Sequence, residues 1–200
     1  SVYEAVLRQL QPLGARWVQF DEPVLALDLS SVELTAMQTA YARLRAVAHS
    51  AKLMLATYFG ELGENLPTAL RLPVDALHVD AVRAPLELAN VLKSIPESMA
   101  LSIGIVNGRN IWRNDFADSL KLLETARQKL GPERLMISPS CSLLHVPVSL
   151  KAEAKLDEEL KGWLAFAEEK LEETVTLARL LEGTASPDIL AKNQEMARNR

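Results

Sequence analysis

An α/β fold of about five consecutive β/α units with parallel strands is the class this sequence predicts. Three observations predict it. Short apolar runs alternate with longer amphipathic ones along most of the chain, which is the pattern of βαβ units. The runs at 52–58 (KLMLATY) and 99–106 (MALSIGIV) are apolar without alternation, as strands covered on both faces are. Polar residues gather just after almost every such run, where parallel α/β proteins carry their ligand-facing loops. No G-x-G-x-x-G follows a strand, which lowers a dinucleotide-binding reading. Two architectures fit the pattern: an open doubly wound sheet, and part of an eight-stranded barrel.

Taken in order, residues 2–13 predict a helix with Val6, Leu7, Leu10 and Leu13 on one face and Gly14 as its stop. Residues 16–20 (RWVQF) predict the first strand, with Asp21-Glu22-Pro23 as its exit. Ser30 and Glu33 have the spacing of a capping box, opening a helix to about His49. The second strand is 52–58, followed by a loop marked by Gly60 and Gly63 and a short helix near 66–71. The third strand is 75–80 (DALHVD), and Pro85 suits the first turn of a helix to about Lys93. Strand 99–106 leads into Asn107-Gly108-Arg109-Asn110, and Asp115 caps a helix to about Leu130. The fifth strand is 134–138 (RLMIS), leaving into Pro139-Ser140-Cys141-Ser142. One long helix is expected from Asp157 to Gly183, with Leu160, Leu164, Ala167, Leu171, Val175, Ala178 and Leu181 as its apolar face. Ser186 and Pro187 then open a short terminal helix. These boundaries predict a domain over 1–183 and an extension or linker over 184–200. The chain opens inside a helical pattern and closes on the polar NQEMARNR, which suggests a piece of something larger.

Composition narrows the function classes. The chain is 48% hydrophobic and 24% charged, as ordinary globular proteins are. A formal net charge of -4 without a basic run argues against nucleic acid and anionic membrane as partners. No apolar stretch approaches the ~20 residues of a membrane span, and SVYEAVLRQL lacks a signal-peptide layout. The one cysteine, Cys141, excludes an internal disulfide and fits a reducing, cytoplasmic setting.

Several residues have chemistry to offer. Asp21 and Glu22, adjacent carboxylates before a proline, suit proton transfer or an amine ligand; capping loop amides is the plainer reading and the favoured one. Tyr58 and His78 read as packed strand residues. Asp80 and Arg83 suit a substrate clamp or a salt bridge with each other. The stretch Asn107 to Asp115 (NGRNIWRND) is the most unusual, with Asn107, Arg109 and Arg113 among its polar residues. It reads equally as an anion site, led by Arg109, and as a network in which Arg109 and Arg113 pair with Asp21, Glu22 or Asp80. Cys141 with His145 reads as an inert cysteine, because no H-x-C or C-x-x-C supplies the further ligands a zinc site needs.

The loops together carry a resemblance. VQFDEP (18–23), LATYFGELGEN (55–65), LPVDALHVDAVRAP (72–85), LSIGIVNGRNIWRND (101–115), ISPSCSLLHVP (137–147) and KLDEELKGWLAFAEEKLEE (155–173) resemble, in order and spacing, the N-terminal domain of cobalamin-independent methionine synthases. The resemblance runs from the first helix to about Gly183. It implies a partial (β/α)8 TIM-type barrel of about five consecutive units. It also implies a parent methyltransferase that passes a methyl group from 5-methyltetrahydropteroyl-triglutamate to homocysteine, forming methionine, with zinc in a C-terminal domain. In that family's catalytic barrel, a related copy of this one, a histidine and a cysteine follow one strand. Here the matching region reads Leu55-Ala56-Thr57; only Asp80 and Cys141 stand near ligand places. The resemblance thus implies no catalytic residue, metal or cofactor on this chain. Its partners would be the rest of the barrel and the C-terminal barrel. Arg109, Arg113, Asp21, Glu22, Asp80 and Asn107 remain as substrate-binding candidates, framing a cleft or the polyglutamate tail. The isolated chain is expected to be structural and inactive. The alternative is a stand-alone, non-catalytic protein binding a folate or an anionic metabolite. Unpaired strand edges also predict a homo-oligomer.

Overall fold

In the computed structural model, which describes residues 1–199, helix α1 (Val2–Leu10) leads into strand β1 (Trp17–Asp21). Helix α2 (Ser31–Val47), strand β2 (Lys52–Ala56), helix α3 (Leu66–Ala69) and strand β3 (Ala76–Asp80) follow. Next come helix α4 (Glu87–Ser94), strand β4 (Ala100–Val106), helix α5 (Phe116–Leu130) and strand β5 (Leu135–Pro139). Helices α6 (Glu158–Trp163), α7 (Ala167–Glu182) and α8 (Pro187–Asn199) end the chain. The five strands form one sheet in the order β1-β2-β3-β4-β5, with parallel registers Trp17↔Lys52 to Asp21↔Ala56 and Met54↔Ala76 to Ala56↔His78. Sequential order means that no topological switch point occurs among these strands. That matches a run of (β/α) barrel units, where a doubly wound sheet reverses.

The chain divides into two compact units, Ser1–Ser102 and Ile103 onward. In the first, the core is built from Leu53, Leu55, Leu77, Leu101 and Leu25, all essentially inaccessible, with Leu7 of α1 and Tyr41 and Leu44 of α2. Strand β3 is buried at all five positions, as its unalternating apolar run requires. In contrast, β1, at the end of the sheet order, alternates between exposed and half-buried. Helix α2 starts on the expected capping box, with Ser30 and Glu33 each satisfying the other's backbone N–H. In the second unit, Ile103, Leu123, Ala126 and Leu177 are buried. Asp115 caps α5 by accepting from Ala117 and Asp118 N–H, and α7 ends at Gly183 with φ of 72°.

Several boundaries differ from expectation. The first helix stops at Leu10, and Gln11–Leu13, containing Pro12, continues it as a 3-10 turn closed by Gly14. Asp21 belongs to β1 rather than to its exit, because it still pairs with Ala56. Strand β2 ends at Ala56, and Tyr58 and Phe59 turn away, with Phe59 at φ of 79°. Helix α4 begins at Glu87, two residues beyond Pro85.

The largest departure is in the long C-terminal helix, which is two. Leu164 is extended (φ -100°, ψ 150°), and Leu164, Ala165 and Phe166 cross as a short buried segment between α6 and α7. Ala165 N–H donates to Ile111 O at 2.8 Å, Arg113 N–H donates to Trp163 O at 2.9 Å, and Trp112 and Leu164 form an antiparallel bridge. The strand-exit loop 107–115 thus competes for backbone groups that a continuous helix would use, and it wins because it buries three apolar residues at once. The inward face changes with the break. Lys170, Glu173 and Leu177 are buried, whereas Leu171 and Val175, expected inside, are half exposed.

Candidate functional site

The strand ends of the first unit collect the acidic candidates. Asp21, last in β1, accepts from Gln19 Nε2 at 2.7 Å and from Tyr58 Oη at 3.1 Å. Glu22, one residue on, accepts from Tyr41 Oη at 3.0 Å. Burial raises the Glu22 carboxyl above the ordinary range; the Tyr41 hydrogen bond opposes this, and the charge of Asp21 adds to it. Burial and the charge of Glu22 push the Tyr41 phenol up, so it remains a hydrogen-bond donor. The two carboxylates thus accept from side chains here rather than from the loop amides the sequence favoured, and Tyr41, nineteen residues beyond Glu22 inside α2, was not among the candidates.

Asp80, at the end of β3, is buried and turned to backbone. One oxygen accepts from Val82 N–H (3.1 Å) and Arg83 N–H (2.9 Å), the other from Phe59 N–H (3.1 Å). Asp80 thereby fixes two loops and holds Phe59 in its left-handed conformation, which costs about 1–3 kcal/mol in a non-glycine residue. His78 is buried, its Nδ1 3.0 Å from Ser102 Oγ, while its carbonyl accepts from Thr57 Oγ1.

The remaining candidates lie in the second unit, on the loop that leaves β4. Asn107 Oδ1 accepts from Arg109 N–H at 2.8 Å, and Asn110 Oδ1 from Trp112 N–H at 3.2 Å, so asparagines set the local turns. Arg109 is exposed. Arg113 is half-buried and donates from Nε to Gly162 O at 2.9 Å and from a terminal nitrogen to Lys161 O. Asn114 donates to Ile105 O and accepts from Ser119 Oγ, and Asn193 of α8 donates to Asn114 O while accepting from Phe116 N–H. A cavity of about 90 Å³ lies beside it, lined by Arg113, Asn114, Gly162, Trp163, Asn193 and Met196. The loop is therefore a built network. Lys170, Glu173 and Asn193 are members that sequence reasoning missed, because an oppositely charged i, i+3 pair reads as a solvated helix face.

Zinc finds no donor set in these residues. Asp80 has both oxygens on backbone amides, and Cys141 is buried with its Sγ and carbonyl packed against Gly108. Among the described residues, no group of three or more His, Cys, Asp and Glu side chains could hold a metal ion. Among the same residues, no helix is long and apolar enough to cross a membrane.

Comparison with known proteins bears on the family and the fold. The family described as cobalamin-independent synthase, N-terminal domain, matches residues 1–131. A 5-methyltetrahydropteroyltriglutamate–homocysteine methyltransferase of Parvibaculum lavamentivorans is 54% identical over 187 residues, covering 92% of this chain and 24% of that protein. Its namesake from Rhodopseudomonas palustris is 46% identical over 201 residues, covering 100% of this chain and 26% of that protein. The chain thus spans about a quarter of the length of these curated relatives. A solved structure described as a vitamin-B12-independent methionine synthase from Listeria monocytogenes superposes with a TM-score of 0.60. It is 15% identical, covering 92% of this chain and 53% of that one, and supports the fold alone. This chain belongs to the cobalamin-independent methionine synthase family, where it matches the N-terminal domain.

Proposed function

We propose that the chain serves a parent methyltransferase as the later part of its N-terminal barrel, and that its own contribution is structural and cleft-forming. The parent reaction would be methyl transfer from 5-methyltetrahydropteroyl-triglutamate to homocysteine, with the zinc and the reacting groups in a C-terminal domain. Residues 1–183 would form the barrel portion and 184–200 an extension. The observation that carries this reading is the use of the polar candidates. Asp80, Asn107 and Arg113 are engaged with the chain's own backbone, which is what residues that shape loops do.

Arg109 is an exposed cation on that ordered loop; Asp21 and Glu22 form an acidic pair within the first unit. We assign Arg109 to an anionic substrate group, such as the glutamate tail, with Arg113 and Asn107 holding the loop that presents it. Supplied with donor and homocysteine, the chain alone should form no methionine; turnover would overturn the structural reading. In the whole methyltransferase, Arg109→Ala should raise KM for the triglutamate donor roughly tenfold with kcat little changed. An unchanged KM would remove Arg109 from the site.

A further inference from the structure

The exit loop of β4 is fastened by two ionisable side chains of α7 that no surface reading would assign. Lys170 is fully inaccessible, and its Nζ donates to Trp112 O at 3.0 Å and Asn110 Oδ1 at 3.4 Å. Glu173, one turn on, is 3% exposed; its Oε1 accepts from Asn114 N–H at 3.0 Å. Its other oxygen, Oε2, is buried and has no hydrogen-bond partner among the described residues. A buried carboxylate oxygen that accepts no hydrogen bond from the described residues is expensive to charge. The same loop supplies the backbone groups that split α6 from α7, through Ile111 O and Arg113 N–H. The fastening therefore governs both the loop and the helix break.

We propose that Glu173 and Lys170 form a protonation-sensitive clasp on the 107–115 loop, closed while Glu173 carries its proton and loosened when Glu173 ionises. The charges acting on Glu173 are Lys170 and Glu169 from α7 and Arg113 from the loop. Strand β5 contains no ionisable residue. On α5, Asp118 and Lys121 pair at the surface, Glu124 and Lys129 are exposed, and Arg127 donates to Leu181 O. Burial raises the Glu173 carboxyl, against the lowering influence of Asn114 N–H, Lys170 and Arg113; burial also lowers the Lys170 ammonium. The sign follows from linkage. A carboxyl raised in the folded state lends stability that is complete below its unfolded value and is lost as pH rises through the folded one. The loop should therefore be tightest in mild acid.

The test is amide exchange of the chain between roughly pH 5 and pH 8, expressed as protection relative to the unfolded peptide. Protection at Arg113, Asn114 and Ala165 should fall severalfold as pH rises, while Leu55 and Leu77 of the other unit stay constant. Glu173→Gln keeps the Oε1 acceptor and removes the charge, so its protection should be high and flat. A flat profile in the unsubstituted chain, or the same slope in Glu173→Gln, would overturn the clasp. If that variant does not fold, the carboxyl carbon shift of Glu173 in the unsubstituted chain decides instead. Titration above the ordinary glutamate range supports the proposal, and titration within it refutes it.

Discussion

At the scale of the residue, several polar side chains of this chain are directed at its own backbone. Asp80 has the charge a ligand would want, yet it is 2% exposed and satisfies three amides. Asp80→Ala should cost about 1–3 kcal/mol in urea denaturation, from amides left unpaired and from Phe59 losing its restraint. Gly108 shows the opposite economy: a Cβ there would stand 2.9 Å from both the carbonyl and the Sγ of Cys141. Gly108→Ala should therefore destabilise by about 1–3 kcal/mol, and Cys141→Ser, which keeps the carbonyl, should not rescue it fully. Glu22 carries a pH signature. Its carboxyl is raised by burial, so its contribution is present in acid and fades as pH rises through the folded value. Glu22→Gln retains an acceptor for Tyr41, and its stability relative to the unsubstituted chain should improve from mild acid to neutrality. A constant difference across that range would count against the burial argument.

At the scale of the element, local signals set helix ends and a distant loop set a helix break. The caps at Ser30, Asp115 and Asp157 work as their spacing implies, each accepting from a first-turn amide. Asp115→Ala should cost about 1 kcal/mol, read as a lower thermal midpoint. Between α6 and α7, Leu164 to Phe166 have nothing helix-breaking in their composition. The chain leaves the helix there because Ile111 O and Trp112 pair with it. Ala165→Pro removes the N–H donated to Ile111 O. It should destabilise the second unit and increase amide exchange at Arg113, where an ordinary turn would tolerate proline. The same break rolls α7, which is why Leu171 and Val175 face outward and a lysine and a glutamate face in.

At the scale of the molecule, the sheet order leaves β1 and β5 at its two ends. Strand β1 is only half-covered, Trp17 is 38% exposed, and Tyr3 and Val2 on α1 are more exposed still. Edges of this kind invite pairing with another chain. Sedimentation of the chain should therefore show mass rising with concentration, and a charge at the edge, as in Trp17→Lys, should suppress it. A monomer at all concentrations would end that expectation.

By itself the sequence determined the α/β class, the places of five strands along the chain, most helix caps and the family, because each depends on residues close together in the chain: apolar runs, S-x-x-E spacing, and loop motifs in a set order. Only the tertiary structure decided what those loops do. Tyr41 meets Glu22, Phe59 meets Asp80, and Lys170 and Glu173 meet the 107–115 loop, each across an interval that periodicity cannot see. Whether a charged side chain lies in water or in a core depends on which face of its helix is covered. That is settled by packing of distant segments, and here a backbone contact from the β4 exit loop turned the face.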